Sequence, residues 1–229
     1  MEEIKKEKFL KGATNPIFLE GAETIISQMR KCVCKINLSN GQQNTGFFCK
    51  IPYPDQAHLL PLLITCDFII GKELFKEGTI IHLSLNDDKE FKEIIFSPSR
   101  KTYVSEKYNV SFLEIDPDDK INYFLELDPN LFKPEDILNN IYQKSSVYIL
   151  HYLKGNKVAC SSGIISEVKD FNINHLCNTD YGSSGAPILS SDSFKLIGIH
   201  TGTTNKKEFN KGILLGYPIQ ELIQTNIGH

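Results

Sequence analysis

Apolar residues along this chain come in short bursts, and their spacing changes twice. Over residues 19–30 they fall at Ala22, Ile25, Ile26 and Met29, the i, i+3, i+4, i+7 stripe of an amphipathic helix. From about residue 32 the rhythm shortens to runs broken by turn residues: Val33–Leu38, Gly46–Ile51, Leu59–Thr65, Thr79–Leu85, Phe91–Phe96 and Val110–Ile115. Such runs read as strands, and Asn40-Gly41 between the first two is a hairpin signal. Six are enough for one Greek-key barrel.

Over residues 116–143 the strand pattern stops. Asp116-Pro117-Asp118-Asp119, Asp128-Pro129-Asn130 and Pro134-Glu135-Asp136 are turn and helix-start text, with a short helix predicted at about 134–141. Seven more runs follow: Ser146–Tyr152, Lys157–Ser161, Gly163–Lys169, Ile173–Cys177, Ala186–Ser190, Lys195–His200 and Gly212–Leu215. Pro218–Gln224 reads as a closing amphipathic helix. The count of short strands predicts an all-β protein. No internal repeat or low-complexity tract interrupts it.

Composition narrows the function more than the fold. With 229 residues, 41% of them hydrophobic, the chain can bury one large β domain or two small ones. Its net charge of −3 is dispersed and no basic stripe exists, so a nucleic-acid partner is not expected. No apolar run approaches the roughly 18–20 residues that span a bilayer, so no membrane partner is expected either. The charged start Met1-Glu2-Glu3-Ile4-Lys5-Lys6 lacks an apolar signal core, which reads as a cytoplasmic protein. In that setting Cys32, Cys34, Cys49, Cys66, Cys160 and Cys177 are expected as free thiols. Cys32-Val33-Cys34 has no second pair at ligand spacing, so neither a metal nor a cofactor is expected.

The chemistry concentrates in Asn178-Thr179-Asp180-Tyr181-Gly182-Ser183-Ser184-Gly185-Ala186-Pro187. A serine between glycines, flanked by two strands, suits acyl transfer. The glycines admit φ > 0, and the amides of such a turn can converge on an oxyanion. This segment, with Gly198-Ile199-His200-Thr201-Gly202 after it, resembles the nucleophile loop of the chymotrypsin-like (trypsin-fold) serine proteases. The resemblance covers roughly residues 30–225, with a further match at Thr45-Gly46-Phe47-Phe48. It implies two Greek-key six-stranded β-barrels, a C-terminal helix and a short N-terminal helical arm. The units expected on that basis are an arm with a helix over 1–30, a first barrel over 31–125, a linker over 126–143, and a second barrel with the closing helix over 144–229. It also implies Ser184 as the nucleophile and the amides of Gly182 and Ser184 as the oxyanion hole. The arm carries no apolar new N-terminus of the zymogen type, so activation by cleavage is not expected.

The same alignment predicts a degenerate triad. The family's histidine follows an apolar strand ending in Thr; in Leu63-Ile64-Thr65-Cys66-Asp67-Phe68 that place is Phe68. The family's aspartate opens a strand of the form Asp-Val-Ala-Phe-Leu-Glu-Ile; in Asn109-Val110-Ser111-Phe112-Leu113-Glu114-Ile115 that place is Asn109. Phenylalanine accepts no proton, and asparagine has no charge to stabilise an imidazolium. Losing triad members leaves about 10³–10⁴-fold catalysis over water.

A second resemblance concerns specificity. Picornaviral chymotrypsin-like cysteine proteases carry Thr-x-x-Gly-x-Cys-Gly and then Gly-x-His-x-x-Gly, and glutamate-specific serine proteases of the fold use a similar His. By that resemblance Thr179 and His200, with Thr201 and Gly202 beside them, would line a pocket for a Gln or Glu side chain. Three functions remain open: an inactive homologue that binds a peptide segment or protein ending in Gln or Glu, an active endopeptidase with a non-standard base, or an interaction domain whose groove is closed.

Overall fold

The computed structural model describes residues 13–38, 41–155, 157–204 and 208–226. The predicted first helix is α1 (Leu19–Lys31), with Gly21 and Ile25 buried. It precedes the first sheet in sequence yet docks on the second: Gln28 Nε2 donates to Phe194 O (2.9 Å) and Tyr148 OH donates to Gln28 Oε1 (2.7 Å).

Seven antiparallel strands form the first sheet: β1 (Val33–Asn37), β2 (Gln43–Pro52), β3 (Leu59–Thr65), β4 (Ile80–Leu85), β5 (Glu90–Ile95), β6 (Thr102–Ser105) and β7 (Val110–Glu114). Their order is β5-β4-β1-β2-β3-β7-β6. β1 and β2 form the predicted hairpin, Gly41 sitting at φ +82° with its N–H on Leu38 O, while Asn40 lies outside the described residues. This half is a curled seven-stranded sheet, one strand more than predicted. The addition is β6, an edge strand with one buried residue of four, Ser105.

The second half is β8 (Ser146–Leu153), β9 (Lys157–Lys169), β10 (Asn172–His175), β11 (Pro187–Ser190), β12 (Leu196–Thr203) and β13 (Asn210–Leu214). They close into a barrel in the order β10-β13-β12-β11-β8-β9. Six strands appear where seven runs were predicted, because β9 continues through Gly163. Glycine is needed there for proximity: a Cβ would meet the backbone of Leu176 and Cys177. A half-barrel sheet and a closed barrel, both antiparallel, make this the two-barrel chymotrypsin-like architecture.

The connection laces the halves together. Leu125 N donates to Phe48 O (2.8 Å) in the first sheet, and Leu196 N of the second donates to Glu126 O (2.7 Å). Arg100 clamps its start through a bidentate pair with Asp119 (2.6 and 2.8 Å). The predicted helix at 134–141 is α2 (Glu135–Tyr142), and α3 (Gly216–Asn226) closes the chain. The six cysteines are free thiols, and all but Cys160 are buried. Among the described residues no helix is long and apolar enough to cross a membrane, and no His/Cys/Asp/Glu group could hold a metal ion.

Candidate active site

The Ser184 loop lies between β10 and β11 and is held against the first sheet by Thr45 on β2. Thr45 N donates to Ser184 O (3.1 Å), and Thr45 Oγ1 donates to Gly182 O (2.7 Å) while accepting Tyr152 N (2.9 Å). Thr65, the last residue of β3, donates its hydroxyl to Thr45 O (2.9 Å). The end of β3 therefore abuts the serine loop, and residues 66–68 leave from there. Thr45→Val is expected to lower stability by about 2–4 kcal/mol, since two buried backbone groups lose their partner. Urea unfolding beside Thr45→Ser, which keeps the hydroxyl, checks this.

Gly182 has φ +86°, and a Cβ on it would meet Tyr152 O and the amide of Gly155. No other residue would take this conformation in this space without strain. Among the described residues the amides of Gly182 and Ser184 and the hydroxyl of Ser184 have no partner. Ser184 itself is half-buried and lines a cleft of about 470 Å³ with Thr179, Asp180, His200, Gly202 and Asn210, among others.

Phe68 lies two residues beyond Cys66, whose thiol contacts His200 O (3.5 Å). Its side chain is 60% exposed, and its amide donates to Asp67 Oδ1 (2.9 Å). Asn109 is exposed in the turn before β7, at φ +50°. That left-handed conformation, which Asn and Asp tolerate best, accounts for the residue type locally. Thr201 does not line the cleft; it sits at the bulge between His200 and Gly202, where the register of β12 against β13 shifts, and its hydroxyl is 3.4 Å from Lys211 O.

Behind the cleft lies a group of buried imidazoles. His200 Nδ1 is 3.1 Å from His175 Nε2, and the amide of Cys177 donates to His175 Nδ1 (3.3 Å). The tautomers follow. His175 Nδ1 accepts, so His175 Nε2 carries the proton and donates to His200 Nδ1. Neutral His200 then carries its own proton on Nε2, and its ring is also hydrogen-bonded to the backbone of Lys211. His151 Nδ1 is 2.6 Å from Ser183 Oγ, which accepts the amide of Asp180 (3.1 Å), and His151 Nε2 is 3.0 Å from Ser161 Oγ. Ser183 thus donates to His151. Burial holds His151 and His175 neutral, with pKa values lowered to about 4; burial and then the neighbouring His175 lower His200 to about 3.

His175, Ser183, His151 and Thr45 are the members that sequence reasoning left without a role. Ser183 carried a signal, standing between Gly182 and Ser184, the residues expected to supply the oxyanion amides. His151 lies inside the predicted run Ser146–Tyr152 with nothing to set it apart, and it is buried, yet it anchors that loop. Nothing in the chain marks His175, which reaches His200 only through barrel closure.

A serine in a φ > 0 turn with free amides, set between two antiparallel β units, defines the class as a chymotrypsin-like serine protease fold. Comparison with known proteins agrees. A family model for peptidase S39 matches residues 88–222, more than half of the chain. The chain belongs to the peptidase S39 family. Among solved structures it is similar to the Rv3671c protease of M. tuberculosis H37Rv in an inactive form, at 14% identity over 93% of this chain and 98% of that one, with a TM-score of 0.61. A serine endoprotease from Yersinia pestis is 13% identical over 91% of this chain and 68% of that one, with a TM-score of 0.62. A human pathogenic astrovirus serine protease is 16% identical over 82% and 94%, with a TM-score of 0.52. At these identities the likeness concerns the fold. No curated protein sequence matches the chain.

Proposed function

We propose that this chain is a serine-protease homologue that binds a peptide segment without cutting it, taking a Gln or Glu side chain beside Thr179 and His200. The observation that carries this reading is that, among the described residues, no side chain is hydrogen-bonded to Ser184 Oγ as a proton acceptor. Phe68 occupies the aligned base position and Asn109 the aligned acid position. The described histidines are engaged elsewhere: His58 with Asp55 (2.8 Å), His82 with Glu93 (3.2 Å), His151 with Ser183, and His175 with His200. His200 shares the cleft with Ser184, but its Nδ1 is taken by His175 and its ring is hydrogen-bonded to the backbone of Lys211, so it offers Ser184 no lone pair.

The hydroxyl of Thr179, which lines the same cleft, supports the pocket. A neutral donor suits the carbonyl oxygen of Gln, or the protonated form of Glu, better than a carboxylate. Peptide pairing has a place too. β11 pairs with β12 only as far as Ile199, so residues 201–203 have no strand on that side among the described residues. In calorimetric titration a Gln peptide is expected to bind at least tenfold more tightly than its Lys counterpart, and His200→Ala to remove the difference. Equal binding of both peptides would sink the pocket assignment.

The intact Ser184 turn favours a second reading, an active endopeptidase. A fluorophosphonate probe separates the two. Little labelling is expected; strong labelling that disappears in Ser184→Ala would establish the second.

A further inference from the structure

We propose that the ligand of this cleft is a chain terminus: the α-carboxylate of a C-terminal Gln, held by the amides of Gly182 and Ser184 and by the Ser184 hydroxyl. The proposal rests on the pocket reading above and adds the group that fills the oxyanion site.

Three donors of this one turn have no partners among the described residues. In a working protease a base takes the hydroxyl proton and the oxygen attacks. Without a base the hydroxyl keeps its proton and is a third donor. A peptide carbonyl passing through uncut offers one oxygen with two lone pairs, fewer than the donors present. A carboxylate offers two oxygens with about four lone-pair sites, enough for all three, and its charge strengthens each bond. The backbone turn at Gly182 is of the kind that captures terminal carboxylates.

The surrounding charges permit an anion. Asp180 lines the cleft, but its carboxylate is 3.5 Å from Lys154 Nζ and accepts the amide of Tyr181 (2.8 Å). The imidazoles behind the cleft are neutral. A terminal Gln would therefore meet the Thr179 and His200 side of the cleft with its side chain, and the three loop donors with its terminus.

The test titrates the full chain calorimetrically with four acetylated peptides of one upstream sequence. They end in Gln as the free acid, in Gln as the amide, in Gln followed by two further residues, and in Lys as the free acid. The Gln acid is expected to bind at least tenfold more tightly than the other three. Ser184→Ala should weaken the acid severalfold more than it weakens the amide, a pattern that general loosening of the loop would not give. Equal binding of Gln acid and Gln amide would overturn the carboxylate site while leaving the side-chain pocket standing. Failure of every Gln peptide to bind, or equal binding of the Gln and Lys acids, would overturn both.

Discussion

Phe68→His combined with Asn109→Asp is expected to raise Ser184-dependent hydrolysis of a Gln-containing fluorogenic peptide by at least about 10²-fold. A positioned general base contributes about 10²–10⁴-fold, and the rest of the machinery stands in place. The amides of Gly182 and Ser184 have no partners among the described residues, Ser184 lines the cleft, and Thr45 fixes the loop against the end of β3. Neither substitution strains the fold. Phe68 is 60% exposed, so its replacement removes little packing. Asn109 holds φ +50°, a conformation aspartate shares with asparagine. The histidine alone should give part of the gain, since the acid serves to orient and stabilise the imidazolium. Ser184→Ala in the same background should abolish it. A folded double variant no faster than the natural chain would show that Phe68 and Asn109 do not stand at the base and acid positions.

This prediction draws on the part of the site that was legible in the chain. Local signals carried it: the Gly-x-Ser-Gly-x-Pro loop, the apolar strand ending in Thr65, and the run opening at Asn109. Elements with strong periodicity were equally legible. β3 spans Leu59–Thr65 as its hydropathy predicts, and α1 ends one residue past the expected point. β6 escaped because Thr102-Tyr103-Val104-Ser105 buries only its last residue and owes its form to pairing with β7. Gly163 suggested a break that β9 does not make, because the reason for the glycine is the approach of the Leu176-Cys177 backbone just beyond β10. The buried imidazole contacts were illegible for the same physical reason. His175 meets His200 across 25 residues and His151 meets Ser183 across 32, through the closure of a barrel rather than any local pattern.

Those contacts give the protein a second large expected response, a steep loss of stability in mild acid. His151, His175 and His200 are buried and held neutral, with pKa values near 4, 4 and 3 against 6.5 for a free imidazole. Below about pH 6.5 the unfolded chain binds a proton at each site and the folded chain does not. Stability therefore rises with pH; it is fully present above about 6.5 and is lost as pH falls toward the folded values. Each site contributes up to about 1.4 kcal/mol per pH unit in this window, so three give up to about 4. That slope consumes the stability of an ordinary domain within about two or three units. Urea unfolding at pH 7, 6 and 5 should show the midpoint falling at each step. His151→Gln keeps a polar side chain beside Ser183 without a titrating ring, and should flatten the slope by about one third whatever it does to stability at pH 7. An unchanged slope in that variant, or a midpoint that does not move between pH 7 and 5, would mean that these imidazoles are not held neutral by the folded barrel.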